Sequence, residues 1–279
     1  MSKSTRRQFL KTGGVVIPGM LLASATKGSI SLSEHSIKLG IASYSFRNFS
    51  LEETIKMTEI LDIKYLALKS MHLPLDSDKE FLSASEEKVE EKGIILYGCG
   101  VVYMNSKDEV SNAFRYAQDA GIDTIIGVPA HNLLDFVEEK IIETNIKVAI
   151  HNHGPGDEVY PSPESIYEKI KDRDSRLGIC MDIGHTARLG LDPSKEALKY
   201  FDRLLDIHLK DVDKASKEGE TIEIGRGIID IPKFIDTLVK NQYKYIASFE
   251  FEKNPDNPMP GISESIGYIK GVLDSISQS

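Results

Sequence analysis

The chain has 279 residues, 41% hydrophobic and 28% charged, with no Trp, two cysteines, no low-complexity tract and no evident repeat, the composition of an ordinary globular enzyme. Its formal charge is −9, and because the first 25 residues hold four basic side chains and no acid, the remainder stands at −13. Such a surface repels nucleic acid and offers anionic lipid nothing.

In chain order, residues 1–25 read as a leader. STRRQFLK (Ser4–Lys11), the apolar run GGVVIPGMLLASA and the small pair Ala23 and Ala25 form a twin-arginine export signal with an A-x-A-like cleavage site. The apolar run is too short to span a bilayer as a stable helix. The expectation is a periplasmic protein, soluble once the signal is removed, with residues 26–36 as a linker and 37–279 as one domain.

From residue 37, short β-rich runs alternate with longer amphipathic stretches. IKLGIASYS (37–45) leads into LEETIKMTEILD, IKYLALKS (63–70) follows, and IILYGCGVVY (94–103) precedes DEVSNAFRYAQDAG. TIIGVP (124–129) leads to NLLDFVEEKIIETN, and KVAIHNH (147–153) to SPESIYEKIKD. LGICMDIGH (177–185), LLDIHLKD (204–211) and YIASFEFE (245–252) complete the strands, and SESIGYIKGVLDSI (263–276) closes the chain as a helix. Several helical stretches open on Ser, Asp or Asn as N-caps. Eight strands, each followed by a helix, predict an α/β fold, a closed parallel (β/α)8 barrel in a single domain. A doubly wound open sheet shares the repeating unit, but no glycine-rich phosphate fingerprint follows an early strand. Cys99 and Cys180 fall on the third and sixth strands, too far apart around a barrel for a disulfide, so two buried thiols are expected.

The polar residues concentrate where such a barrel places its active site, at the C-terminal ends of the strands. Apart from His35, every histidine lies at or just beyond a strand end: His72, His131, His151, His153, His185 and His208. Asp182 ends the sixth strand, three residues before His185, and Glu250 and Glu252 share a face of the eighth. Four consecutive strands therefore offer His151, Asp182, His208 and Glu250 to one cavity. Two imidazoles and two carboxylates suit one divalent ion of intermediate hardness, Mn, Zn, Fe or Co rather than Mg. Asp182 has a rival role as a helix cap, and Lys210 a rival role in a barrel-internal salt bridge. The polar, glycine-bearing segment VDKASKEGETIEIGRG (212–227) is a candidate lid.

HNHGPGDE, CMDIGHTARLG, DIHLKDV, EIGRGIIDIPKFI and ASFEFEK, in this order, resemble the sugar phosphate isomerase/epimerase family, the xylose isomerase-like TIM barrels, from about residue 38 to the end. The resemblance implies one divalent metal held by strand-end residues, which carry over as Asp182, His208 and Glu250. It also implies that His185 is a substrate contact. The fourth ligand position falls on His151, where the ketose epimerases have a glutamate that is also one of two opposed bases. A metal-bound imidazole has no lone pair left for proton abstraction, so the departure at His151 counts against a symmetrical two-base epimerase and favours chemistry with one base and a metal. Glu250 is the first candidate base, followed by His153 and His185. Candidate substrate contacts are Lys69, His72, His185, Arg188, Lys210, Arg226 and Glu252. The function expected is a metal-dependent isomerase or epimerase that abstracts a proton next to a carbonyl of a sugar or sugar derivative. The alternatives are a keto-glycoside lyase or hydrolase working by metal-assisted β-elimination, and a non-catalytic sugar-binding barrel. The expected partner is a small carbohydrate, with neither nucleic acid nor membrane, and a homo-oligomer stays open.

Overall fold

The computed structural model describes residues 37–278; the leader and linker expected over 1–36 lie outside the described residues. Eight parallel strands close into a barrel: β1 (Lys38–Ala42), β2 (Tyr65–Leu68), β3 (Ile95–Met104), β4 (Thr124–Pro129), β5 (Lys147–His151), β6 (Leu177–Asp182), β7 (Leu204–Leu209) and β8 (Ile246–Phe249). Lys38 to Ile41 pair in register with Ile246 to Phe249, which joins the last strand to the first. The open-sheet alternative is thereby excluded. All residues of β4, β6 and β7 are buried, because one face of each strand meets the barrel interior and the other meets helices. That two-sided burial explains why the runs read as nearly continuous apolar segments.

The helices are α1 (Leu51–Ile60), α2 (Lys79–Glu90), α3 (Lys107–Asp119), α4 (Leu134–Thr144), α5 (Pro163–Ile170), α6 (Ile183–Arg188), α7 (Pro193–Lys199), α8 (Ile231–Lys240) and α9 (Met259–Ser277). Ser50, Asp78, Ser106, Ser162, Asp182, Asp192 and Asp230 each accept a hydrogen bond from the first turn of the helix they precede. Each cap stabilises its helix by about 1 kcal/mol. α9 starts at Met259, four residues ahead of the expected start, since Pro260 sits in a first turn that needs no N–H from it. Cys99 and Cys180 are both free and buried.

Two departures shape the mouth of the barrel. β5 ends at His151, not His153, because the chain turns at Gly154 (φ 81°) and Gly156 (φ 100°). A Cβ on Gly154 would lie 3.0 Å from the His185 carbonyl oxygen, so both the backbone angle and the close approach call for glycine. The expected lid instead contains a two-residue hairpin, Asp211–Val212 against Thr221–Ile222. The Asp211 carboxylate accepts from the backbone N–H groups of Val212, Gly225, Gly227 and Ile229 at 2.9 to 3.3 Å. Segment 212–227 is therefore pinned at its base. Among the described residues, no helix is long and apolar enough to cross a membrane.

Candidate active site

β5, β6, β7 and β8 deliver His151, Asp182, His208 and Glu250 to one point, and their ligand atoms lie within 4.8 Å of one another. All four are nearly or fully buried. His151 Nε2 faces His208 Nδ1 at 3.1 Å, Asp182 Oδ2 at 3.6 Å and Glu250 Oε2 at 3.9 Å, while His208 Nδ1 lies 3.2 Å from Glu250 Oε2. The donors thus converge on one another and away from the apolar wall.

Asp182 performs both roles the sequence allows. Its Oδ1 accepts the His185 N–H at 2.7 Å and so caps α6. Its Oδ2 is buried and accepts no well-directed hydrogen bond. Asn152, between the two histidines on the opposite face, fastens β5 to β6. Its Oδ1 accepts the Asp182 N–H at 3.0 Å, and its amide donates to the Asp182 carbonyl and Thr186 Oγ1, both at 3.3 Å.

Lys210 comes from the residue just beyond β7 and is 2% exposed. Its ammonium lies 2.9 Å from Asp182 Oδ2, 2.9 Å from Glu250 Oε2 and 2.6 Å from Glu252 Oε1. It is thus a barrel-internal ion pair, with its charge committed to three carboxylates rather than free for substrate. The two buried carboxylates outnumber the one ammonium, so with neutral imidazoles they leave an excess of one negative charge, and Glu252, 33% exposed, adds a third carboxylate at the edge.

Burial and neighbouring charge compete in the titration of each of these groups. Burial opposes ionisation of Asp182, but His185, Lys210 and His151 outweigh it and hold the carboxyl well below its usual range. Burial is likewise outweighed at Glu250 by Lys210 and His208. Burial lowers His151 to about 3. At His208 burial acts in the same direction, yet the Glu250, Asp206 and Asp182 charges overcome it and raise the ring. Two buried carboxylates served by a single ammonium, together with converging imidazole nitrogens, fit a divalent cation.

His153 and His185 flank this cluster differently. The His153 ring centroid is 4.6 Å from that of His151. Its Nε2 lies 3.3 Å from the Tyr103 hydroxyl and its Nδ1 3.9 Å from Asp157 Oδ2. His185 Nδ1 lies 3.2 Å from Arg188 Nη1. A guanidinium only donates, so Nδ1 accepts and the proton resides on Nε2, 3.9 Å from Asp182 Oδ2. Burial lowers both rings below their ordinary value, which keeps them neutral near pH 7.

The other candidates divide. Lys69 is half-buried, its ammonium 5.1 Å from the centre of the Tyr44 ring; burial lowers it, against the pull of Glu250 and Glu252. Arg188 also reaches the carbonyls of Ser216 and Lys217 and ties the tip of the 212–227 segment to α6. His72 is not available to substrate. Ser43 Oγ accepts the Lys69 N–H at 2.8 Å and donates to His72 Nδ1 at 2.9 Å, leaving Nε2–H to the Phe46 carbonyl at 3.1 Å. Arg226 is bidentate to Glu264 of α9 on an exposed surface, which removes it from the site. His131 is committed to the Val159 carbonyl. Tyr103, Asp157 and Asn152 were not anticipated; the only sequence signal was their proximity to strand ends.

A sequence profile of the xylose isomerase-like TIM barrel matches residues 101–272. The chain belongs to that family. Rhizopine catabolism protein MocC of Rhizobium meliloti is 24% identical over 145 residues, which are 47% of this chain and 44% of that protein; the chain thus spans under half of that relative's length. Among solved structures, an uncharacterised protein from Parabacteroides distasonis is 26% identical, covers 84% of this chain and 98% of its own, and superposes with a TM-score of 0.67. A D-tagatose 3-epimerase-like protein is 17% identical with 87% and 99% coverage and a TM-score of 0.72. E. coli 3-keto-D-glucoside 4-epimerase is 13% identical with 85% and 100% coverage and a TM-score of 0.67. At 17% and 13% identity the likeness extends to the barrel fold.

Proposed function

We propose that this chain is a metal-dependent isomerase or epimerase acting on a sugar or sugar derivative, by proton abstraction next to a carbonyl. The observation that carries the reading is the convergence of His151, Asp182, His208 and Glu250 at the C-terminal end of the barrel, with a second, neutral histidine beside them. A divalent ion held by those four side chains would supply Lewis acidity toward a substrate carbonyl. Glu250 is a poor base, since its Oε2 is engaged by Lys210 at 2.9 Å and its carboxyl is held well below the usual range. We assign proton abstraction to His153, whose Nε2 faces the Tyr103 hydroxyl at the open end. His185 donates a hydrogen bond through Nε2–H, because Arg188 occupies its other nitrogen. Lys69 and Tyr44 line the substrate side. The twin-arginine pattern supports a periplasmic location, and free or oxidised sugars rather than sugar phosphates are the proposed substrates.

A keto-glycoside lyase is the second reading, favoured by one observation: the neutral bases cluster on the β5 and β6 side, while Asp182, Glu250 and Glu252 are all engaged by Lys210. One base beside a ketone suffices for β-elimination. Incubating the purified protein and added divalent metal with simple sugars and 3-keto-glycosides in deuterated water separates the two. Solvent deuterium in an otherwise intact sugar supports the isomerase, and aglycone release supports the lyase. Binding of these sugars without exchange or release refutes both.

A further inference from the structure

Beside the proposed metal position lies a second donor set, which adds to His151 and His208 a thiol that the reading above does not use. Cys180 precedes Asp182 by two residues on β6 and so faces the same side of the strand. It pairs in register with His151 of β5 and Asp206 of β7. One ring nitrogen of His151, the Cys180 sulfur and one ring nitrogen of His208 lie within 4.8 Å of one another. The surrounding buried atoms are under-bonded: His151 Nδ1, His208 Nε2 and Asp206 Oδ2 have no hydrogen-bond partner. The Cys180 thiol donates only a long contact, 3.8 Å, to Asp206 Oδ1. Buried polar atoms are almost always satisfied, so an unpartnered atom on each of His151, His208 and Asp206, the residues that group or pair with Cys180, calls for another occupant.

We propose that Cys180, His151 and His208 form a sulfur-bearing seat for one divalent transition-metal ion, alternative to the oxygen-rich seat completed by Asp182 and Glu250. The proposal rests on the metal reading of the same two histidines. Because both seats use those imidazoles, one ion occupies one seat at a time, and its softness decides which. Mn²⁺ stays with the carboxylates, while Co²⁺ and Zn²⁺ are drawn toward the thiolate. On ligation the sulfur–metal bond replaces the S–H bond and the proton leaves to solvent. Asp206 then borders the sulfur seat from β7. Cys99, also buried, belongs to no such group among the described residues.

The test is cobalt loading of the full chain, read by the near-ultraviolet thiolate-to-cobalt absorption and by competition between Co²⁺ and Mn²⁺. Wild type and Cys99→Ser show the band. Cys180→Ser lacks it and loses roughly tenfold or more in Co²⁺ affinity, with Mn²⁺ affinity unchanged. Cys180→Ala serves the same purpose if the serine variant fails to fold by circular dichroism. Stoichiometric cobalt without the band overturns the sulfur seat and leaves the oxygen-rich one standing. A protein that binds no cobalt overturns both, and a band surviving in Cys180→Ser assigns the sulfur elsewhere and overturns the proposal.

Discussion

Replacing Lys210 with Met tests whether the ammonium offsets the buried negative charge of the site. The methionine keeps an unbranched apolar stem and deletes the charge that lies 2.9 Å from both Asp182 Oδ2 and Glu250 Oε2. Removing one partner of a fully buried pair costs about 3–5 kcal/mol. The third contact adds little, because the Glu252 side chain is 33% exposed and water screens it. Asp182 and Glu250 are held below their usual range even though burial opposes it. Their stabilisation is therefore present above the unfolded carboxylate range, about pH 4, and lost as pH falls through the lowered folded values. Urea unfolding of chelator-stripped protein should show the full deficit at pH 7 and a narrowing gap in acid. Bound divalent ion stabilises a folded protein by about 2.7 kcal/mol at a hundredfold excess over Kd, and at one fixed ion concentration the variant, lacking the competing ammonium, should gain more than the wild type. A variant within about 0.5 kcal/mol of wild type at pH 7, or a gap that widens in acid, refutes the charge argument.

Asp182→Asn retains an oxygen for the α6 cap and removes the charge, so metal content by elemental analysis should fall while α6 persists by hydrogen exchange; unchanged metal content would remove Asp182 from the ligand set. His153→Gln should keep the metal and lose roughly a hundredfold or more in kcat. Because burial lowers His153, its base form persists as pH falls, and wild-type kcat/KM should stay level down to about pH 6.5 before declining; a decline that begins above pH 7 contradicts this assignment. Asp211→Ala strips four backbone N–H groups of their acceptor, so protease cleavage within 212–227 should accelerate, and an unchanged cleavage rate would count against the pinned loop.

The barrel was legible because each strand is a short apolar run and each helix a longer amphipathic one, so period and length separate them. The candidate site was legible for the same reason: a polar side chain ending an apolar strand has few places to point but the mouth. His72 and Arg226 mark the boundary of that logic. Their partners, Ser43 and Glu264, lie 29 and 38 residues away in sequence, and nothing local announces that a nearby hydroxyl or carboxylate will claim them. Lys210 shows the same limit, since its three carboxylates come from two other strand ends. The anchoring of segment 212–227 turns on a single residue: Asp211 looks like one more strand-end acid until the four N–H groups that fold back onto it are known.

The divided use of Asp182 restricts how this site can drift. One oxygen begins a helix and the other faces the metal position, so the distance from the backbone to both tasks is set by a single methylene. Lengthening the arm to glutamate would carry the carboxylate past the His185 N–H, and α6, with His185 and Arg188 on it, would have to begin elsewhere. Aspartate-to-glutamate exchange here should be as disruptive as losing the charge, whereas Glu250, which caps nothing, has no helix to forfeit. His151 caps no helix either, so the fifth-strand position is free of this constraint, while the sixth-strand aspartate is held in place by architecture.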